Sequence, residues 1–331
     1  MRVGFIGLGN VGSKLAGSLL RNGFELVVRD LDRTAAAALE SAGAGWADSP
    51  AAMAATAELV ITCLPSPAAS AAVMEAGDGI LAGLAVRAGR GDDAEPVIWA
   101  EMSTTDEAEV RRLGELVAAA GGSAVDCPVS GGCHRAATGN ISIFAGCDRA
   151  TFERALPVLT AMGRNILHAG PLGSASILKV VTNYLATANL VSLCEALVTS
   201  KQAGIDLNTA YEAIRISSGN SFVHETESQV ILNGSRDINF TMDLVQKDLS
   251  LFAAVAERAG VPLELSPVLI DIFDDAAARY GSREWSPHVV RRLEEAVGTS
   301  VLAPGFPAQM IDDEPELPGR EVMVSRGRLP Q

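Results

Sequence analysis

The amino-acid sequence predicts an α/β protein: a doubly wound parallel sheet, then a long interdomain helix and an all-helical C-terminal domain. In the first half, short apolar segments alternate with segments of helical spacing. After about residue 168 the strand patterns stop, and one helical pattern runs over residues 174–203. We therefore expect a sheet domain at 1–168, a helical domain at 169–300 that begins with the long helix, and an extended tail at 301–331.

The composition disfavours several classes of protein. A chain of 331 residues with 48% hydrophobic and 20% charged residues is typical of folded globular proteins. The net charge of −14 disfavours nucleic acids and anionic membranes as partners, because both attract basic surfaces. The five cysteines show neither a CxxC pair nor a zinc-site spacing, and the N-terminus lacks the pattern of a signal peptide. We expect a soluble, cytoplasmic protein without a metal site.

The first 30 residues predict a strand, a glycine turn, a helix and a second strand, which ends in an acidic residue. Gly7, Gly9 and Gly12 form GxGxxG, and Asp30 follows 18 residues later. In this context the glycines allow a tight turn, close approach to a pyrophosphate and close helix packing, and the helix N-terminus offers N–H groups to phosphates. Asp30 would bind ribose hydroxyls and repel a 2′-phosphate, which favours NAD, with NADP as a possibility. The alternative is a packing turn without a ligand.

The remaining elements of the first half continue the alternation. Ligands of doubly wound sheets bind beyond the carboxyl ends of the strands, so the segments LPS, MSTT and PVSGG should face the cofactor. The predicted strands lie at 57–65, 96–104 and 122–130, and the predicted helices near 34–42, 67–76 and 105–120.

The long helix carries an isolated lysine. Lys179 is the only Asp, Glu, Lys or Arg between Arg164 and Glu195, and Asn183 lies one helical turn later on the same stripe. Burial would lower the pKa of a lysine towards neutrality, where proton transfer is efficient. A lysine that reaches solvent or a distant acid is the alternative, and periodicity alone does not choose between them. Further helices are predicted at 208–217, 241–259, 264–280 and 287–297.

Taken together, these motifs resemble the β-hydroxyacid dehydrogenase family, which includes 3-hydroxyisobutyrate dehydrogenase, tartronate semialdehyde reductase and 6-phosphogluconate dehydrogenase. The similarity covers about residues 1–297. The segments that carry it are GFIGLGNVG at the N-terminus, CLP at 63–65, MST at 102–104, DCPVSGG at 126–132, GSASILKVVTN at 173–183 and KDL at 247–249.

The resemblance implies a Rossmann-like NAD(P) domain and an enzyme that reversibly transfers hydride between nicotinamide and a small β-hydroxyacid or its semialdehyde. It implies Lys179 as general acid and base, Asn183 beside it, and a homodimer or homotetramer. The implied substrate-binding residues are Ser130, Gly131, Gly132, Lys179 and Asn183. The implied cofactor-binding residues are Gly7, Leu8, Gly9, Asn10, Val11, Gly12, Asp30, Leu64, Pro65, Thr104 and Lys247.

Two features depart from the family pattern. Ala175 stands where a second glycine commonly precedes the lysine, and CHR follows SGG where small or apolar residues are usual. His134 or Arg135 would read a second polar or anionic group on the substrate, or else both are solvated loop residues. Two other functions remain open: an imine reductase-like NAD(P)H-dependent reductase, which often lacks a lysine at the position of Lys179, and a non-enzymatic dinucleotide-binding scaffold, which tends to lose it.

Overall fold

The computed structural model describes residues 1–89 and 95–324. The chain forms two compact units, one comprising Met1–Lys179 and the chain from Asp312 onward, the other Val180–Ile311. The first division falls inside the long helix, whereas the sequence suggested a boundary before it at residue 168. The second division falls inside the tail, whose last part belongs to the first unit.

The first unit alternates strands and helices, as predicted. In chain order it contains β1 (Arg2–Ile6), α1 (Gly12–Arg21), β2 (Glu25–Arg29), α2 (Ala37–Ser41), β3 (Gly45–Trp46), α3 (Pro50–Ala54), β4 (Leu59–Thr62), α4 (Pro67–Glu75), α5 (Ile80–Ala88), β5 (Ile98–Glu101), α6 (Glu107–Ala119), β6 (Ser123–Asp126), β7 (Val129–Ser130), α7 (Gly132–Ala137), β8 (Ile141–Gly146), α8 (Arg149–Met162), β9 (Gly163–Gly170) and the last strand, β10 (Arg320–Glu321).

The strands form one mostly parallel sheet in the order β10-β9-β8-β6-β5-β4-β1-β2-β3, with β7 paired to β8. Strand β8 runs antiparallel to β6 and β7, which the sequence analysis did not predict. A buried strand of either direction reads as an apolar run, so the pattern does not reveal this reversal.

Helices cover both faces of the sheet because its strands are apolar on both sides. Along β4, Leu59 and Ile61 lie in one buried cluster with residues of α1 and α8, whereas Val60 lies in another with residues of α3, α5 and α6. Side chains of a strand alternate between its two faces, so the central strands β1, β2, β4 and β5 contribute to both clusters. The predicted doubly wound architecture is confirmed.

The register of the sheet places the carboxyl ends of five strands side by side. Neighbouring pairs join Arg29 to Ile6, Ile6 to Thr62, Thr62 to Glu101 and Glu101 to Asp126. The loops that follow these residues therefore begin along one edge of the sheet.

The second unit is helical, as predicted. It continues from α9 (Ser174–Gln202) into α10 (Leu207–Arg215), α11 (Phe222–Asn233), α12 (Met242–Arg258), α13 (Leu265–Tyr280) and α14 (Arg291–Val297). Helix α11 was not predicted, since its buried face mixes Val230, Ile231 and Leu232 with His224, Thr226 and Ser228. Such a mixture hides the apolar periodicity on which the prediction depends.

Two helical segments of the described chain, 67–88 and Ser174–Gln202, are long and apolar enough to cross a membrane by length and composition alone. Core helices of soluble proteins pass the same test. The first segment contains two helices, α4 and α5, and the second contributes Leu190, Leu193 and Leu197 to the core of the helical unit.

Candidate active site

The glycine-rich turn between β1 and α1 has the geometry that a dinucleotide requires. Gly7 has a φ of +99°, and a Cβ there would collide with the carbonyl oxygen of Cys63. A Cβ on Gly12 would collide with the carbonyl oxygen of Gly7, so this glycine allows α1 to pack closely on the turn. A Cβ on exposed Gly9 would have no non-neighbouring heavy atom within 4 Å, which leaves space for a ligand beside the backbone.

The N-terminus of α1 is suited to a phosphate. No side-chain hydrogen bond caps it, whereas side chains cap other helices of the described chain, such as Ser66 at α4, Asp106 at α6 and Asp148 at α8. Uncapped N–H groups and the positive end of the helix dipole favour an anion. The residues of this segment therefore fit a dinucleotide: Gly7, Leu8, Gly9, Asn10, Val11 and Gly12.

Asp30 is fixed at the adjacent strand end. Its Oδ2 accepts the N–H of Leu8 at 2.6 Å, and its Oδ1 accepts the N–H of Asp32 at 2.9 Å. A carboxylate has about four acceptor sites, so this group keeps capacity for hydroxyl donors. The structure thus places the Asp30 carboxylate directly beside the glycine-rich turn.

Two arginines close to Asp30 in the sequence, Arg29 and Arg33, bind other protein groups. Arg33 donates to both carboxylate oxygens of Glu40 at 2.5 and 2.7 Å, and its guanidinium lies 4.1 Å from the centroid of the Trp46 ring. Arg29 donates to the carbonyl oxygens of Ala47 and Asp48. These are the cations of the described chain closest in sequence to Asp30, and each makes contacts with other protein groups.

The loops after β4 and β5 are linked by a buried network. The N–H of Leu64 donates to Ser103 Oγ at 2.8 Å, and the N–H of Ser103 donates to Glu101 Oε1 at 2.8 Å. Glu101 is fully buried, and burial raises the pKa of its carboxyl. Leu64 and exposed Pro65 follow β4, and Thr104 follows Ser103, so the structure brings these predicted cofactor residues to the strand edge that holds the glycine-rich turn.

Ser130, Gly131 and Gly132 form a turn between β7 and α7. Ser130 pairs with Ser142 of β8, which fixes the start of the turn. Gly131 and Gly132 have φ values of +130° and +84°, a region that side-chain-bearing residues rarely adopt. The backbone of this segment, which we call the Ser130–Gly132 loop, therefore depends on its glycines.

Lys179 is buried, with 8% of its surface exposed, in the second turn of α9. The start of this helix is anchored by Asp126 at the end of β6: the N–H groups of Gly173 and Ser176 donate to Asp126 Oδ1 and Oδ2 at 2.8 and 2.7 Å. Asp126 is itself fully buried, and burial raises the pKa of its carboxyl. One carboxylate thus fixes the lysine-bearing helix to the strand that leads into the Ser130–Gly132 loop.

Asn183 and Lys247 meet around a second buried carboxylate, within the helical unit. Asn183 Nδ2 donates to Asp248 Oδ2 at 2.5 Å, and Lys247 Nζ lies 3.0 Å from Asp248 Oδ1. Asp248 is 3% exposed. The carboxylate therefore orients the Asn183 side chain, one helical turn after Lys179.

Ala175, His134 and Arg135, the residues that depart from the family pattern, lie in buried or partly buried positions. The methyl group of Ala175 is fully buried. Burial lowers the pKa of His134, and Arg135 Nη2 lies 3.7 Å from Glu314 Oε1. His168 and His224 each contact a backbone carbonyl at 2.9 Å. Among residues 1–89 and 95–324, no group of three potential metal ligands occurs.

Sequence reasoning missed three carboxyl groups that organise this region: Glu101, Asp126 and Asp248. Asp126 and Asp248 lie inside the quoted motifs DCPVSGG and KDL, and Glu101 directly precedes MST. The hydrogen-bond partners of Asp126 and Asp248 are distant in the chain: Asp126 binds residues 47 and 50 positions later, and Asp248 binds Asn183. Glu101 and Asp126 each follow the apolar run of a predicted strand, and an acidic residue at such a position is the sequence signal that would have identified them.

Comparisons with known proteins cover almost the whole chain. The family model for the NAD-binding domain of 6-phosphogluconate dehydrogenase matches residues 2–170, and the model for the NAD-binding region of NADP-dependent 3-hydroxyisobutyrate dehydrogenase matches residues 173–293.

Individual relatives agree with these models. The 2-(hydroxymethyl)glutarate dehydrogenase of Eubacterium barkeri is 32% identical over 302 residues, which cover 91% of this chain and 97% of the relative. The 3-hydroxyisobutyrate dehydrogenase of Pseudomonas aeruginosa is 32% identical over 294 residues, 86% of this chain and 96% of the relative. The crystal structure of 3-hydroxyisobutyrate dehydrogenase from Salmonella typhimurium superimposes with a TM-score of 0.77 at 28% identity, covering 88% of this chain and 99% of that one.

Proposed function

The chain belongs to the β-hydroxyacid dehydrogenase family, and from this premise we propose that Lys179 performs acid–base chemistry on a small carboxylate-bearing hydroxyacid or semialdehyde. Members of the family are NAD(P)-dependent enzymes that act on CH–OH groups, and this chain is an enzyme of that class. We further propose that the sheet unit binds the cofactor and that Asn183 and Lys247 of the helical unit take part in binding.

The observation that carries the proposal is the setting of Lys179. It is a buried lysine on a helix whose start is tied by Asp126 to the strand edge that also bears the glycine-rich turn. A buried lysine near the anchored start of a helix is suited to moving a proton, because its backbone is held in place and burial limits the access of water.

Each residue then has a defined role. Bound nicotinamide supplies or takes up the hydride. In reduction, Lys179 Nζ donates the proton that the carbonyl oxygen gains; in oxidation, it accepts the proton of the hydroxyl group. Asn183, oriented by Asp248, positions the substrate, and the backbone of the Ser130–Gly132 loop binds its carboxylate. Acid–base assistance of this kind contributes about 10²- to 10⁴-fold in rate.

We propose NAD as the preferred cofactor. The Asp30 carboxylate would accept the ribose hydroxyls and repel a 2′-phosphate. The nearby Arg33, which would otherwise attract such a phosphate, is held by Glu40 and Trp46.

Replacing Lys179 with alanine tests the proposal. We expect kcat to fall by about 10²- to 10⁴-fold while the NADH dissociation constant changes by less than about three-fold, because the cofactor contacts lie on other residues. Lys201→Ala, in the last turn of the same helix and exposed, is the matched control and should leave both values unchanged. Activity would be followed by NADH absorbance over a panel of small hydroxyacids and semialdehydes.

Two results would contradict the proposal. Retention of turnover in the Lys179 variant would make this lysine structural. Turnover of cyclic imines without turnover of any hydroxyacid or semialdehyde would instead support imine reduction.

We also propose a cytoplasmic homodimer or homotetramer. All five cysteines are free thiols, which suits a reducing compartment. The helical unit exposes Leu185, Val261, Leu265 and Val268, each about half accessible, and burial of such side chains favours self-association. Light scattering of the purified chain would give its mass in solution.

A further inference from the structure

The segment Asp312–Glu321, which we call the C-terminal arm, packs on the sheet unit. It lies beyond the residues matched by the two family models, which end at residue 293. Its last residues form β10, which pairs with Asn165 and Ile166 of β9, and Glu321 binds both guanidinium NH groups of Arg149 at 2.6 and 3.0 Å. This pairing fixes the end of the arm to the edge of the sheet.

The beginning of the arm binds the segment that follows α7. Asp312 Oδ2 accepts hydrogen bonds from the hydroxyl of Thr138 and, at 2.8 Å, from Asn140 Nδ2. Asn140 Nδ2 also donates to the carbonyl oxygen of Glu314 at 3.0 Å, and Asn140 is 3% exposed. Partial burial opposes ionisation of Asp312, but these hydrogen bonds prevail and hold the pKa of its carboxyl below the usual value.

Helix α7 transmits this contact to the Ser130–Gly132 loop. Thr138 is the residue after the last turn of α7, and its hydroxyl contacts the carbonyl oxygen of Arg135 at 3.2 Å. The helix has only six residues and begins at Gly132. The side chain of Arg135 lies against Gly131, since a Cβ there would be 3.3 Å from Arg135 Cδ. Because the helix is so short, we expect a shift at its end to displace the loop at its start.

Glu316 provides a third contact between the arm and the segment that follows α7. Glu316 accepts from Arg21 Nε at 3.0 Å, and Arg21 Nη2 donates to the carbonyl oxygen of Ala137 at 2.9 Å. A Cβ on Gly139 would lie 2.9 Å from Glu316 Oε1, so the arm sits directly on this glycine. Gly139 and Asn140 are thus buried beneath the arm, beside the contact that α1 makes with Ala137.

We propose that the beginning of the C-terminal arm supports the substrate site, with Asp312 as a positioning residue that holds α7 and the Ser130–Gly132 loop in the geometry that binds the substrate carboxylate. This inference rests on the proposed function for the role of the loop. Asp312 acts through Thr138 and Asn140, and its proposed role requires no contact with substrate or cofactor.

The experiment compares Asp312→Ala with Asp312→Asn and with Glu321→Gln as a matched control. The alanine variant loses the acceptor of two hydrogen bonds, whereas asparagine keeps an acceptor oxygen. Glu321→Gln weakens the arm at the sheet edge, away from α7. For Asp312→Ala we expect KM for the carboxylate substrate to rise about 10-fold, with kcat and the NADH dissociation constant within about two-fold of wild type, because the loop binds the substrate and not the cofactor.

The conservative and control variants define the outcome. Asp312→Asn should stay within about three-fold of the wild-type KM, and Glu321→Gln should leave KM unchanged. If Asp312→Ala leaves KM unchanged, or if Glu321→Gln raises KM as much as Asp312→Ala does, the arm has no specific role in positioning the loop and the inference is wrong. An Asp312→Asn variant as impaired as the alanine variant would refute the hydrogen-bond account.

Hydrogen–deuterium exchange separates this inference from the proposed function, since it needs no substrate. In Asp312→Ala, amides of residues 130–140 should exchange about 10-fold faster than in wild type, and in Glu321→Gln they should not. Unchanged exchange in Asp312→Ala would overturn the inference whatever the enzyme turns over. If exchange is faster in Asp312→Ala but the wild-type protein has no hydroxyacid activity, the coupling between Asp312 and the Ser130–Gly132 loop is supported and only the proposed function is refuted.

Discussion

Replacing Asp126 with alanine tests whether the anchoring of α9 controls turnover. The substitution removes the acceptors of the Gly173 and Ser176 N–H groups and leaves both donors buried at the start of the helix. A buried donor without a partner costs about 1–3 kcal/mol, so two cost about 2–6 kcal/mol. Burial raises the pKa of Asp126, which means that the buried carboxylate carries a desolvation cost. The alanine variant avoids this cost, and the gain offsets part of the destabilisation from the unpaired donors.

We therefore expect a net loss of about 2–4 kcal/mol in the free energy of unfolding of the sheet unit. For a unit of this size, each kcal/mol lowers the melting temperature by about 2–4 °C, so the expected decrease is roughly 4–16 °C. Lys179 lies three residues after Ser176, so fraying of this turn should lower kcat at least about 10-fold while NADH binding is retained.

The matched control is Asp148→Ala. Asp148 caps α8 in the same unit through the N–H of Thr151 at 2.9 Å, but it is more exposed and lies on a helix without a candidate catalytic residue. Loss of an ordinary N-cap costs about 0.5–2 kcal/mol and should leave kcat unchanged. Differential scanning calorimetry and steady-state kinetics on both variants would measure the two effects. An Asp126→Ala protein that is destabilised yet keeps the wild-type kcat would refute the link between the anchor and Lys179.

Two further predictions concern the cofactor and pH. Asp30→Ala should narrow the preference for NADH over NADPH by at least about 10-fold in kcat/KM, since repulsion of the 2′-phosphate is removed; a wild-type preference for NADPH would exclude the NAD assignment. Burial raises the pKa of Glu227 from 4.5 to about 8, so the folded state binds a proton that the unfolded state releases, and stability falls as pH rises from about 4.5 to 8. Glu227→Gln should remove this loss, adding roughly 2–4 kcal/mol at pH 8 and nothing near pH 4 in urea titrations; an equal gain at both pH values would contradict the titration argument.

The parts of the fold that sequence predicted are those set by local pattern. Gly7, Gly9 and Gly12 lie between an apolar strand and an amphipathic helix, which is a short-range signal. Lys179 stood out because no other charge occurs near it in the chain. Both signals depend on residues that are close together in the chain. In the structure Gly7 and Gly9 lie between β1 and α1, Gly12 begins α1, and Lys179 is buried in α9.

The parts that sequence did not predict depend on contacts between distant residues. Asp126 is an ordinary acid in the sequence, and its role becomes visible only when the N–H groups of Gly173 and Ser176 are placed against it. The C-terminal arm reads as a polar tail, yet Asp312 binds residues more than 170 positions earlier. No periodicity reports such pairing, because the partners share no element of secondary structure.

The pairing of β10 with β9 has a consequence for biosynthesis. Residue 165 leaves the ribosome long before residue 320, so the nascent sheet unit carries β9 with an uncovered edge while the whole helical unit is being translated. An open edge strand is a template for pairing with other chains, and long-range closure is slow. We expect chains truncated before Arg320 to aggregate more during expression than full-length chains, even where the truncated protein is stable once folded.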